Sequence, residues 1–112
     1  MGAARNLAAL AAERPWPRVA FFCQRCANSL GRYAIEAEPN GELRPWPASG
    51  RAAADSRTAF EKQGDPRVTW DTFHGRGQVR WRCSCGAEGR RRADRLGALP
   101  VDEWREPPRV VI

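Results

Sequence analysis

The chain has 112 residues and a formal net charge of +6, with ten Gly, nine Pro and four Cys. This length corresponds to one domain, and a chain this short buries a modest core that often needs a cross-link or a bound metal. No apolar run approaches the roughly 20 residues of a membrane span, and residues 7–12 are too short a run for a signal peptide. We therefore expect a cytoplasmic domain with reduced thiols and no membrane partner.

The first part of the chain predicts one helix and two strands. Residues 1–14 are rich in alanine but have little to bury, so we expect a helical or flexible arm that Pro15 ends. Val19–Phe22 is an apolar run typical of a strand. Residues 32–37 alternate between apolar and polar side chains, which indicates a second, half-buried strand, and residues 40–41 (Asn-Gly) predict a turn.

The middle of the chain is predicted to be an insertion. Residues 38–67 form this arm within a domain that spans residues 15–99. The Pro-Trp-Pro segment at residues 45–47 is not expected inside a sheet, because proline cannot donate to the ladder. Residues 51–62 predict a helix.

The last part of the chain predicts a hairpin, a helix and a tail. Residues 68–83 alternate on both sides of a turn expected at residues 75–77, and this hairpin places Val79, Trp81 and Cys83 on one face. Residues 90–99 predict a short helix. Residues 100–112 are expected to be a tail, since two consecutive prolines oppose regular strand pairing.

The four cysteines form two close pairs, each of which follows a predicted strand. Two residues separate the first pair, Cys23 and Cys26, and one residue separates the second pair, Cys83 and Cys85. Four thiolates suit tetrahedral zinc, and Gly86 allows the tight turn after the second pair. We predict one structural zinc ion; a disulfide or redox pair and an iron–sulfur site are the alternatives. His74, the only histidine, is expected to be an exposed turn residue rather than a replacement ligand.

Each cysteine pair with the turn around it forms what we call a knuckle. The two knuckles together resemble those of the zinc-ribbon family, in which the sequence of the second knuckle is often Cys-x-Cys-Gly or Cys-x-x-Cys-Gly. The resemblance covers about half of the chain and rests on Cys23, Cys26, Cys83, Cys85 and Gly86. In composition and knuckle form the chain is also similar to short zinc-ribbon proteins of actinobacteria and their phages. The resemblance implies a small, β-rich α+β fold with a three-stranded antiparallel sheet and one or two short helices. The chain departs from the family in having Ala27 where glycine is usual and a long gap between the pairs.

The basic residues concentrate around the second cysteine pair. Seven arginines lie between residues 75 and 95, against two acidic residues: Arg76, Arg80, Arg82, Arg90, Arg91, Arg92 and Arg95. Such a cluster predicts a nucleic-acid contact with arginine forks on phosphates and Trp70 or Trp81 as stacking platforms. A solvated charged face is the alternative.

An Arg-Pro-Trp-Pro segment occurs twice, with its tryptophan at Trp16 and at Trp46. These tryptophans are either lids over a thin core or anchors for a protein partner. The second interpretation supports another function, a zinc-stabilised adaptor in a transcription, replication or virion assembly. Four sulfur ligands leave no open position on zinc, and no catalytic set is apparent. We therefore expect a non-enzymatic module with no small-molecule substrate.

Overall fold

The computed structural model describes residues 5–47 and 67–112, and the helix predicted at residues 51–62 lies outside them. The described residues form one α-helix, α1 (Leu7–Glu13), a short 3-10 helix (Leu96–Ala98) and seven strands. The strands are β1 (Arg18–Phe22), β2 (Ser29–Ala37), β3 (Leu43–Pro47), β4 (Val68–Phe73), β5 (Arg76–Arg82), β6 (Glu88–Arg92) and β7 (Arg109–Val111). The prediction of a small, β-rich fold with a short helix is confirmed.

The strands form two sheets rather than one. A four-stranded sheet has the order β3-β2-β1-β7, in which β7 runs parallel to β1 and the other pairs are antiparallel. A three-stranded antiparallel sheet has the order β4-β5-β6. The sequence predicted β1 and β2 of the four-stranded sheet as strands, but not β3 and β7, which pair with them.

One contiguous hydrophobic core joins the two sheets. It includes Phe21 and Ile35 from the first sheet and Val79 from the second, all fully buried. The first cysteine of each pair, Cys23 and Cys83, is buried in the same hydrophobic core.

Polar contacts also connect the sheets. The buried Tyr33 hydroxyl donates to the Leu30 carbonyl (2.6 Å) and accepts from the Val68 amide of the other sheet (3.1 Å). Each of these buried polar groups is thereby paired, which avoids a desolvation cost. The Leu43 amide donates to the Ala93 carbonyl (3.0 Å) and forms a second link between the sheets.

Helix α1 is an integral part of the fold. The Asn6 side chain caps it by accepting from the Ala9 amide (2.8 Å), and its apolar stripe, Leu7 and Leu10, is fully buried. The helix packs against the 3-10 helix so closely that a Cβ at Gly97 would lie 2.6 Å from the Ala8 Cβ. Of the two alternatives expected for residues 1–14, the structure has the helix at Leu7–Glu13, and the second half of the chain supplies part of the surface that buries it.

Three local predictions are wrong. Residues 90–92, the start of the helix predicted at residues 90–99, belong to strand β6, because each pairs in register with β5 and this pairing overrides helix propensity; the later part of the range contains the short 3-10 helix Leu96–Ala98. Residues 109–111 form β7, since the prolines precede the strand and leave its amides free to pair with β1. Residues 45–47 do lie in a sheet, but on its edge strand β3, where proline is tolerated.

Candidate metal centre and basic sheet face

The first knuckle turns the chain sharply at the end of β1. The Ala27 amide donates to the Cys23 carbonyl (2.8 Å), and the Cys23 amide donates to the Asn28 carbonyl (2.9 Å). The Asn28 amide points at Cys26 Sγ (3.5 Å). Closing this turn requires Ala27 at φ +62°, in the left-handed region.

The second knuckle repeats this arrangement at the end of β5. The Gly86 amide donates to the Cys83 carbonyl (3.0 Å), and the Cys83 amide donates to the Ala87 carbonyl (2.8 Å). Gly86 has φ +93° and is in the position equivalent to Ala27. A glycine is suited to this conformation because it has no Cβ, whereas alanine at Ala27 is strained.

The two knuckles bring all four sulfur atoms within 4.8 Å of one another. Cys23 Sγ lies 3.8 Å from Cys85 Sγ, and Cys26 Sγ lies 3.4 Å from Cys83 Sγ. Ligands about 2.3 Å from a tetrahedral ion are separated by about 3.8 Å, so the spacing fits a shared ion. All four thiols are free, and these distances are far longer than a disulfide bond. The predicted grouping is confirmed: Cys23, Cys26, Cys83 and Cys85 are positioned to hold one metal ion.

The proximity of the thiols changes how they ionise. The backbone amide of Cys85 and the neighbouring thiols lower the pKa of Cys83 to about 6. The Asn28 amide lowers the pKa of Cys26, but desolvation and the three other thiols outweigh it and raise that pKa to about 12. Four like charges in this volume repel, and a divalent cation at the centre offsets the repulsion.

The end of the chain supports the first knuckle. The Ile112 amide donates to the Phe22 carbonyl (3.0 Å), and the Gln24 amide donates to the Ile112 carbonyl (3.4 Å). Strand β7 and the residue after it therefore hold the residues on both sides of Cys23 in place.

The three-stranded sheet carries most of the predicted arginines on one face. Directly opposed residues share a face, and the register places Thr69, Arg80 and Arg90 in one row across the sheet. We call this the basic face and define it by its five arginines: Arg76, Arg80, Arg82, Arg90 and Arg92. The opposite face carries Val79 and packs on the core.

Few carboxylates balance the basic face. Asp71 lies 3.7 Å from Arg80, and Asp94 lies 2.6 Å from Arg92. Within residues 5–47 and 67–112, no carboxylate lies within 4.0 Å of the guanidinium groups of Arg76, Arg82 or Arg90. A depression of about 490 Å³ opens on this face, and its charged lining consists of four arginines (Arg67, Arg80, Arg82 and Arg90) and one carboxylate, Glu88, which is opposite Arg82. Its chemistry suits an anion.

Two predicted arginines do not join this face. Arg91 is opposite Val79, so it lies on the inner face, and its Nε atom is buried without a hydrogen-bond partner among the described residues. Arg95 is exposed and precedes the 3-10 helix.

The tryptophans predicted as platforms and anchors are largely occupied within the fold. Trp70 and Trp81 both lie on the inner face of the sheet and pack against the core. Arg44 is sandwiched between the rings of Trp46 (3.9 Å) and Trp70 (4.3 Å), which is a favourable cation–π arrangement. Trp16 packs on Trp46 with ring centroids 6.5 Å apart. This stack connects β3 to β4, and Trp70 is its member that packs against the hydrophobic core.

Two exposed aromatic side chains were not among the residues predicted to be functional. Phe73 ends β4 on the basic face with 53% of its surface exposed. Trp104 is 97% exposed beside a groove of about 870 Å³, which Phe22, Ala27 and Val111 help to line. Because side chains alternate between the two faces of a strand, the pattern of residues 68–73 could have predicted that Phe73 and Trp70 lie on opposite faces. No local sequence pattern indicated that Trp104 is exposed.

The predicted turn at His74 is confirmed, with a shift in its centre. His74 and Gly75 are its two central residues, and both have positive φ, as a type I′ turn requires. His74 is exposed and lies outside the sulfur cluster.

Comparisons with protein-family models, curated proteins and solved structures found no match to this chain. Among residues 5–47 and 67–112, no helix has the length and apolar character needed to cross a membrane.

Proposed function

We propose that this protein is a non-enzymatic, zinc-stabilised module that binds nucleic acid through its basic face. The basic face carries the functional part of the proposal, and the four thiols carry the structural part. The zinc-ribbon resemblance agrees with both but adds nothing to the choice of partner.

Zinc is the metal that best fits the donor set. Four sulfur ligands at tetrahedral spacing are typical of structural zinc sites and leave no position for a catalytic water. The ion would tie the end of β1 to the end of β5 and so join the two sheets. The hydrophobic core of a domain this small provides little net stability, and such a link would add to it.

The observation that carries nucleic-acid binding is the direct pairing of Arg80 with Arg90 across neighbouring strands. Like charges in this position destabilise a sheet. Arg67 and Arg82 line the same depression and add to the repulsion, and the single carboxylate there, Glu88 opposite Arg82, offsets only part of it. An anionic ligand would relieve it, and arginine pairs with phosphate through two parallel hydrogen bonds.

Salt-dependent binding of a labelled oligonucleotide by the zinc-loaded chain tests this function. Replacing Arg80 and Arg90 together with glutamine should weaken binding and reduce the slope of log K against log[salt] by about 1.4 for a single strand or 1.8 for a duplex. Arg91→Gln is the matched control, because Arg91 neighbours Arg90 but lies on the inner face. Equal losses in both variants, or no binding by the parent chain, would contradict the proposal.

Native mass spectrometry tests the metal. We expect one zinc ion per chain, lost from Cys85→Ser and retained by Ser84→Ala, which changes the residue between the two ligands of the second knuckle. Zinc retained at full occupancy and affinity by Cys85→Ser would exclude a four-sulfur site.

The exposed Trp104 and its groove favour a second function, a protein-interaction adaptor. A partner would insert a hydrophobic side chain beside Trp104 and Val111, a mode typical of interface hot spots. Cross-links from a captured protein to this groove should survive nuclease treatment and the Arg80→Gln/Arg90→Gln changes, and disappear in Trp104→Ala. Cross-links that map elsewhere would exclude this surface.

A further inference from the structure

The most unusual residue of the basic face is an aromatic one. Phe73 is the only aromatic residue among the described strand residues whose register places them on this face, and it is opposite Arg76 at the end of the β4–β5 ladder. More than half of its surface is exposed, although burying a phenylalanine is favourable by about 2 kcal/mol. Within the described part of the chain, Phe73 is not among the residues that pack against the hydrophobic core, so core packing does not account for its position.

The neighbours of Phe73 hold its ring without covering it. The His74 ring packs edge-on against it with centroids 4.2 Å apart. The Arg90 guanidinium lies 5.9 Å from its centroid, within the range of a cation–π contact. Phe73 also lines a smaller depression with Arg76 and Arg92, so two cations flank the space in front of it.

Phosphate and base sites are therefore separated along the same face. On β5, Arg80 is four residues from Arg76, so the backbone of the Arg80 row lies about 13 Å from the Phe73 row. The Arg90 side chain spans this interval, since it lines the depression and lies 5.9 Å from the Phe73 ring. A strand of nucleic acid running along the face would reach both sites. Its phosphates would meet Arg80 and Arg90 while one of its bases stacked on Phe73.

This arrangement discriminates between nucleic-acid forms. In a duplex the faces of the bases are already stacked, so an aromatic platform has nothing to engage except at an end. In a single strand every base offers a free π-face, and grooves that combine basic residues with exposed aromatic rings are typical of single-strand binding.

We propose that the basic face binds single-stranded nucleic acid, with one base stacked on Phe73 and phosphates held by the Arg80–Arg90 depression. This inference rests on the proposed function and specifies its ligand. Stacking on Phe73 positions the base and adds affinity that does not depend on salt, whereas the arginines contribute the salt-dependent part of binding.

Fluorescence anisotropy with the zinc-loaded full chain tests the inference. The probes are a labelled 12-nucleotide thymidine oligomer, the corresponding uridine oligomer, and a closed hairpin duplex with the same number of phosphates. We expect single strands to bind at least tenfold more tightly than the duplex. Phe73→Ala should weaken single-strand binding by about 5- to 150-fold, because one base–aromatic stack is lost. Its effect on duplex binding should be within twofold.

Two further variants show whether stacking is the cause. Phe73→Trp should restore or improve binding, since a larger ring stacks better, whereas Phe73→Leu should behave like alanine. The salt slope should not change in any Phe73 variant, because no phosphate contact is lost. Zinc content and circular dichroism of each variant report that the fold is kept.

The outcomes separate this inference from the proposed function. Equal binding of single strand and duplex, or full affinity in Phe73→Ala, would overturn single-strand stacking while leaving a basic nucleic-acid site. Loss of binding only in Arg80→Gln/Arg90→Gln would lead to the same conclusion. No binding to any probe would overturn both.

Discussion

The strained alanine of the first knuckle allows a direct test of the metal centre's backbone. Ala27 has φ +62°, and the left-handed region costs a residue with a Cβ about 1–2 kcal/mol. Glycine relieves this strain but loses about 0.4–1 kcal/mol more entropy on folding. Ala27 is exposed, so its methyl group contributes little burial. We expect Ala27→Gly to stabilise the protein by about 0.5–1 kcal/mol, the difference between these effects.

The reverse substitution, glycine to alanine, can be made at Gly86, the equivalent position of the second knuckle. Gly86 has φ +93°, and a Cβ there would meet no atom within 4 Å. Gly86→Ala therefore adds backbone strain without a steric clash and should destabilise by about 1 kcal/mol. Gly41→Ala is the control outside the metal centre, because Gly41 has a similar φ (+86°) and equally open surroundings.

Differential scanning calorimetry of the zinc-loaded proteins measures these effects. A change of 1 kcal/mol shifts Tm by about 4 °C in a chain of this size. Ala27→Gly should therefore raise Tm by a few degrees, while Gly86→Ala and Gly41→Ala should lower it by similar amounts. A lower Tm for Ala27→Gly would refute the argument, because it would mean that the methyl group contributes more than the strain costs.

Three other substitutions have predictable effects on stability, measured by denaturant unfolding of the zinc-loaded chain. Tyr33→Phe removes the acceptor of the buried Val68 amide and should cost about 1–3 kcal/mol; an unchanged stability would show that the amide finds another acceptor. Gly89→Ala places a Cβ 2.5 Å from the Trp81 ring and should cost about 1–3 kcal/mol by overpacking; no loss would show that the ring moves freely. His74→Asn should stabilise by a few tenths of a kcal/mol, because asparagine favours the first central position of a type I′ turn; a loss would indicate that the His74 ring contact matters more.

Local patterns predicted the parts of the fold that depend on neighbours in sequence. The alternation of residues 68–83 predicted the β4–β5 hairpin and the inward position of Val79. The spacing of the cysteines predicted their convergence, because two short loops that each offer two thiolates suit a single ion. In both cases a few adjacent residues contain the whole signal.

Other elements depend on pairings that no local pattern contains. Strand β7 joins β1 across most of the chain, and three residues carry too little alternation to be recognised as a strand. Strand β6 is a run of polar residues whose partner, β5, decides its conformation. Helix α1 has the same dependence, since Leu7 and Leu10 are buried by residues near the 3-10 helix. Tertiary context overrode local propensity in β6 and β7, whereas in α1 it stabilises a helix that the alanine-rich sequence already favours.

The architecture separates the source of stability from the proposed source of binding. The inner face of the three-stranded sheet carries the core residues, and the four thiols positioned to hold a metal ion lie at the end of β5. The outer face contributes little burial and sets Arg80 against Arg90, which opposes folding. Such a sheet needs a source of stability outside its outer face. The four-cysteine cluster can provide one, because it lies at the end of the strand that carries Arg80 and Arg82. Removing the metal should therefore weaken oligonucleotide binding even though no cysteine touches the ligand, because the arginines would lose their common scaffold.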